Sequence, residues 1–231
     1  MTKRTRTCIL CGTGLTLVVL LCVIFCIVFS LNSAATANDA DVEAIQDVAK
    51  EAEILISGPR NVVDETGALD MTCLQTYQTR IDQTFTSNFG LIEQGYNAMQ
   101  QICDSFDETT DVVLENKIID FSTKSLQIDG DTATLVCDIM MLQKYIPYEG
   151  EGAYRAVFGV STTTETFGFV KDEGGAWRVS SSSEMDYQFG STRDMGMSNE
   201  DLEKIFPTRE EACAYAASLS VENICPLLRV N

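Results

Sequence analysis

The spacing of apolar residues divides the chain into three stretches. The first is an unbroken apolar run, Cys8 to Leu31, reading CILCGTGLTLVVLLCVIFCIVFSL, 24 residues without a formal charge. As a helix it would extend about 36 Å at about 1.5 Å per residue, enough to cross a hydrocarbon layer about 30 Å thick. The run therefore predicts a transmembrane helix, and residues 32–38 read as a short spacer. In the second stretch apolar residues recur at intervals of three and four. Val42, Ile45, Val48, Ala49, Ala52 and Leu55 mark one helix. Cys73, Leu74, Tyr77, Ile81 and Phe85 mark a second, and Leu91, Ile92, Tyr96, Met99, Ile102 and Cys103 a third. Gly58-Pro59 ends the first, and Ser87-Asn88-Phe89-Gly90 separates the other two.

From about Asp111 the period falls to two and β-branched residues accumulate, which predicts four strands. Lys117 to Ile128 turns at Asp129-Gly130-Asp131 and returns as Thr132 to Tyr145; Tyr154 to Val170 turns at Asp172-Glu173-Gly174-Gly175 and returns as Ala176 to Phe189. In the last strand Trp177, Val179, Ser181, Ser183, Met185, Tyr187 and Phe189 share one face. Two strands break phase: Ile119 and Phe121 are odd while Leu126 and Ile128 are even, and Ala156, Phe158 and Val160 are even while Phe167 and Phe169 are odd. Each break predicts a bulge or bend. The fold class is α+β: a transmembrane helix, then helices packed on a curved four-stranded antiparallel meander over residues 39–190, then a helical extension over 191–231. In that extension Ser198-Asn199-Glu200-Asp201 is read as opening a short helix that ends near Phe206, Pro207 interrupts, and Ala212 to Leu219 forms another helix. It is either a packed cap or a partner-binding extension.

Charge sets the topology. Lys3, Arg4 and Arg6 precede the apolar run and the next basic residue is Lys50, so the start is expected in the cytoplasm and the remainder outside. The competing reading is a secretory signal peptide cleaved near Ala37, after the small residues of Ala35-Thr36-Ala37. Three of the 16 basic residues and none of the 34 acids lie before residue 38, so the exported part carries 13 − 34 = −21. Such a surface repels phosphate backbones and argues against nucleic-acid binding. The chain contains no histidine, which removes imidazole bases, histidine metal ligands and the usual serine and cysteine triads. No cofactor is implied. The expected partners are the lipid bilayer, through residues 8–31, and a protein partner or a second copy of the chain.

Four cysteines, Cys8, Cys11, Cys22 and Cys26, belong to the apolar run, and Cys73, Cys103, Cys137, Cys213 and Cys225 follow it. Five is odd, so at least one stays free or pairs between chains. Cys137 alternates with Ala133, Leu135, Ile139 and Met141 on one strand face and is the candidate for burial. Cys73 with Cys103 and Cys213 with Cys225 are pairs that an oxidising compartment would permit, the connectivity being open. Other groups are weaker candidates. Asp104, Asp107, Glu108 and Asp111 lack the D-x-[DN]-x-[DN]-G register of a calcium loop and read as a solvated turn. Asp120 and Asp138 alternate away from their apolar neighbours. Tyr145, Pro147, Tyr148 and Tyr154 frame a Gly-Glu loop and suit either hairpin packing or an interface. No residue is assigned a catalytic, cofactor-binding or metal-binding role.

The order of helices followed by IDGDTATLVCDI (Ile128 to Ile139) and FVKDEGGAWRVSS (Phe169 to Ser181) resembles the nuclear transport factor 2-like domain, the SnoaL-like or cystatin-like cone, over roughly residues 40–190. The resemblance implies a helix-lined cone that serves as an active site, a ligand pocket or a packed core for assembly. Enzymatic members often place His and Asp in that cone; no such set can be matched here, so the resemblance carries over a fold and no catalytic residue. With a single-pass anchor, the architecture also resembles scaffold subunits of type IV secretion and conjugation machines. The expected function is thus a membrane-anchored, extracytoplasmic, non-catalytic binding or assembly module. The alternative is a small-molecule binder or acid/base enzyme of the ketosteroid-isomerase kind. A filled cone favours the former, and a hollow with a buried carboxyl the latter.

Overall fold

The computed structural model describes residues 39–57, 61–89, 91–191 and 204–224. The predicted membrane run, the Ala35–Ala37 cleavage candidate, Ser198–Asp201 and Cys225 lie outside them. Among the described residues, no helix is long and apolar enough to cross a membrane. Three helices form where the apolar stripes place them: α1 (Asp39–Ser57), α2 (Cys73–Thr84) and α3 (Leu91–Asp104). Strands follow as β1 (Val112–Asp129), β2 (Thr132–Ile146), the short β3 (Tyr148–Gly150) and β4 (Ala153–Arg155), then β5 (Val157–Lys171), β6 (Trp177–Ser191) and β7 (Ile205–Phe206). Helices α4 (Arg209–Ser218) and α5 (Val221–Ile224) complete the order. The four long strands make an antiparallel sheet in the order β1-β2-β5-β6, and β3, β4 and β7 make a small second sheet.

Local chemistry fixes both main hairpins. Gly130 and Asp131 form a two-residue turn in which Gly130 takes φ +59°, a conformation glycine adopts without steric cost. At the second turn one oxygen of Asp172 accepts hydrogen bonds from the amides of Gly174 and Ala176, each 2.9 Å, and the other accepts from Arg178 at 3.0 Å. Helix α1 lies against one face of the sheet. Its Asp41 carboxylate accepts from the Trp177 indole and pairs with Lys171, each at 2.9 Å; Gln46 donates to Thr123 at 3.0 Å, and Ser57 contacts Met141. The odd-numbered residues of that face, Leu135, Cys137, Ile139, Phe167 and Phe169, meet Ile45, Ala49 and Ala52 of α1, Ile81 of α2 and Met99 of α3 in one core.

Four expectations are corrected. Ile205 and Phe206 form a strand paired with Arg155 and Tyr154, not the end of a helix. Phe206 precedes Pro207, and a residue before proline is driven toward extended backbone. The strand read from Tyr154 to Val170 is two strands divided at Ala156, whose amide donates to the Lys204 carbonyl at 3.1 Å. Of the bulge or bend expected at the phase break in β5, the bulge is absent, since its pairing with β2 runs without a slip from Val170 opposite Thr132 to Val157 opposite Tyr145. Instead, the even-numbered face becomes covered at this end by α4, which packs on β2. Lys144, which shares parity with Leu142 and Ile146, reaches the Leu219 carbonyl at 2.8 Å. Finally, the single-face alternation of β6 is interrupted between Val179 and Ser181 and again between Glu184 and Asp186. The break in β1 is a true irregularity, between Thr123 and Ser125.

Phe167 is fully buried at the centre of this core, so Phe167→Ala should lower unfolding free energy by about 3–5 kcal/mol in chemical denaturation; a loss under about 1 kcal/mol would show the site can collapse around the deletion. Hydrogen bonds from Ala176 and Arg178 hold the Asp172 carboxyl below the usual carboxylate range, and those from Thr66 do the same for Asp64. A lowered folded-state value contributes stability above the unfolded value of about 3.9 that is lost as pH falls through the folded one. The thermal midpoint should therefore fall below about pH 4, and Asp172→Asn should flatten that slope; an unchanged slope would remove Asp172 from the account.

Candidate functional site

The helix-facing side of the sheet is apolar except for one polar band. Cys137 on β2 stands opposite Glu165 on β5, and the next inward pair is Ile139 with Thr163. Glu53 enters from α1. Glu53 and Glu165 are each 5% exposed and Thr163 is 7% exposed, with the Thr163 hydroxyl lacking a hydrogen-bond partner. Burial pushes the Cys137 thiol up to about 12, and the charges of Glu165 and Glu53 act in the same direction. Cys137 is therefore a protonated packing residue, not a nucleophile. Two carboxyls so placed lie in an apolar setting, where a charge is costly unless it is partnered.

Among the depressions on the described surface, three bear on the site. One of about 520 Å³ lies between α2 and α3, floored by Ile81 and the stacked rings of Phe85 and Phe89, whose centroids are 4.5 Å apart, and rimmed by Asp82 and Glu93. A second, about 270 Å³, lies on the opposite face of the sheet and holds Asp120, Asp138, Thr162 and Thr164. The third, about 420 Å³, is bounded by Asp64, Glu115, Lys144, Leu219 and Glu222 beside the C-terminal segment.

The sequence-derived candidates fall into structural roles. In the acidic turn Asp107 accepts from the Thr109 amide and hydroxyl, each 2.8 Å, which holds its carboxyl below the usual range. The carbonyl of Asp107 accepts from Arg209 at 2.6 Å, that of Glu108 from the Tyr154 hydroxyl at 2.7 Å, and the carboxylate of Asp111 from the Tyr148 amide at 2.7 Å. Asp104 accepts from Gln100 at 2.8 Å. The turn is thus a buckle between the sheet and α4. Asp120 and Asp138 do share one groove on the outer face, where Asp138 pairs with Lys124 and accepts from Thr164, both at 2.6 Å. Tyr148 and Tyr154 meet edge to face at 5.5 Å in the β3–β4 hairpin, and Pro147 accepts the Arg155 amide at 3.1 Å. Tyr145 is half-buried on β2, opposite Val113 and Val157.

Glu53, Glu165 and Lys144 escaped the sequence reading although each carried a signal. Glu53 is four residues beyond Ala49 and eight beyond Ile45, inside the helical stripe. Glu165 precedes Phe167 by two and shares its inward parity, and Lys144 stands between Leu142 and Ile146 on their face. A charged residue in phase with an apolar stripe is the mark of a buried, partnered group.

No protein-family model and no curated protein matches the chain. Among solved structures, the crystal structure of the intermembrane space region of the chloroplast protein ARC6 is similar to it over 59% of this chain and 95% of that one, at 10% identity and a TM-score of 0.37.

Proposed function

We propose that this chain is a membrane-anchored, extracytoplasmic module of the nuclear transport factor 2-like kind that binds or assembles with other proteins and carries out no chemistry, in the manner of a scaffold subunit in a cell-envelope or secretion machine. The observation that carries the reading is the filled helix-facing side of the sheet: Leu135, Ile139, Phe167 and Phe169 are at most 2% exposed where an enzyme of this architecture would open its pocket. The uncharged run from Cys8 to Leu31 behind Lys3, Arg4 and Arg6 supports the anchor and its orientation. The full chain, tagged at its C-terminus and expressed in cells, should remain in the membrane pellet after alkaline extraction, with the tag open to external protease. Chemical cross-linking in those membranes should trap a defined oligomer or partner complex. A protease-protected, carbonate-soluble body, or a chain that cross-links only as a monomer, would overturn the reading.

A second reading, a binder of a small organic cation, is favoured by the convergence of Glu53 and Glu165 on Cys137 within the core. It is separated from the first by Glu165→Gln, which removes the charge at nearly constant volume. For a non-binding core, alkylammonium and guanidinium compounds leave the thermal midpoint of both proteins unchanged. For a cation site, one of these compounds raises the midpoint of the parent chain and not that of the Gln variant.

A further inference from the structure

Cys73 opens α2 and Cys103 lies in the last turn of α3, so the two helices meet at a pair of sulfurs 3.4 Å apart, both thiols. A disulfide bond is about 2.05 Å long. The remaining approach is roughly 1.4 Å, and it is made by rotation of the two side chains about their torsions. Cys137 and Cys213 are differently placed. The first lies beneath α1 against the Glu165 carbonyl, and the second beside Gly67, where a Cβ would come within 2.7 Å of its sulfur.

We propose that Cys73 and Cys103 form an intrachain disulfide that closes residues 73–103 into a ring and ties the α2–α3 pair at the end opposite the Phe85–Phe89 turn. Its occurrence in the cell rests on the extracytoplasmic reading, and its geometry does not. The step balances with a small-molecule or protein disulfide as oxidant. Cys103, half-buried, is the accessible partner and takes the first sulfur, displacing one thiolate of the oxidant. The sulfur of Cys73 then attacks that of Cys103 and displaces the second. Two thiol hydrogens leave as protons on the released thiols, and two electrons pass to the oxidant's disulfide bond. Burial and the contact with Cys103 push the Cys73 thiol up to about 12, so unaided closure is slow and the finished bond is shielded from exchange. The ring spans both walls of the 520 Å³ depression, Ile81 on α2 and Tyr96 on α3, so the bond also fixes the spacing of that opening.

The test is a disulfide map of the purified full chain in detergent, equilibrated with mixed oxidised and reduced glutathione and quenched with an alkylating reagent. The expected result is a peptide pair joining Cys73 to Cys103, a mass loss of two hydrogens, and a thermal midpoint raised by roughly 5–10 °C that reductant reverses. In Cys103→Ser the shift disappears. Recovery of both cysteines alkylated after oxidation, or of Cys73 joined to any other cysteine, would overturn the proposal, and this readout on the parent chain needs no variant to fold. The same map on protein whose thiols were trapped inside cells separates the two claims. A bond that forms in the purified chain but is reduced in cells upholds the site and counts against the extracytoplasmic reading.

Discussion

The sheet has a side it cannot leave in water, and α1 is the element that covers it. Phe167, Phe169, Leu135 and Ile139 present an apolar surface on either side of the Cys137–Glu165 pair, and its burial is favourable at roughly 25 cal/mol per Å² of apolar area. Helix α1 meets it with Ile45, Ala49, Ala52 and Leu55, two small residues flanked by two larger ones. Polar contacts then set direction. Asp41 is held at the β5–β6 turn by Trp177 and Lys171, Gln46 reaches β1, and Ser57 lies over Met141 of β2, so the helix is tied to successive strands along its length. The Tyr77 hydroxyl, donating to the Leu55 carbonyl at 3.2 Å, joins α2 to the far end of α1. With α1 placed, α2 and α3 have one remaining surface to pack against.

A second covering acts on the other side of the sheet, at one end. Residues 204–224 return across β4 and β2, burying Ala212, Cys213 and Ala216. Arg209 is the main fastener. It donates to the carbonyls of Asp107 and Thr110 at 2.6 and 3.0 Å, and its guanidinium stands over the rings of Phe106 and Tyr154 at 4.8 and 5.5 Å. Lys144 is the counterpart from within the sheet, nearly inaccessible and satisfied by Glu115 and the Leu219 carbonyl, each at 2.8 Å. A buried ammonium is tolerable only with such partners. The C-terminal segment is therefore a structural lid on the outer face at that end, and among the described residues the outer groove at Asp120 and Asp138 stays open.

Local features of this arrangement were legible in the sequence, and features made by distant pairing were not. The stripes of α1, α2 and α3 are periodic within a single element, and the Gly130 and Gly175 turns need only their own residues, so reading along the chain finds them. Strand β7 is two residues long and exists because β4 offers it an edge, which no local pattern announces. The phase change in β5 looked like a bulge because a strand wetted on one face must change parity by inserting a residue. Once α4 covers the second face, parity changes without an insertion. Glu53 and Glu165 were missed for a related reason: a charge in an apolar stripe reads as a break in the stripe until the residues around it are seen to be buried on all sides.

The buried acid on β5 also bears on how the sheet chooses its register. Glu165 stands at the point where β5 and β6 fall out of step, Thr164 pairing with Asp186 and Glu165 with Glu184, so Met185 is the extra residue. A slip of one residue on β5 would turn Phe167 and Phe169 outward and bring Thr164, Thr166 and Gly168 into the core, losing most of the apolar burial. A bulge at this position pins the pairing and increases the local twist. Glu165 shares the inward parity of Phe167, so the same slip would carry its carboxyl outward, and the register that buries the two rings buries the acid with them. Burial of Phe167 and Phe169 therefore decides the register, and Glu165 is carried into the core with them.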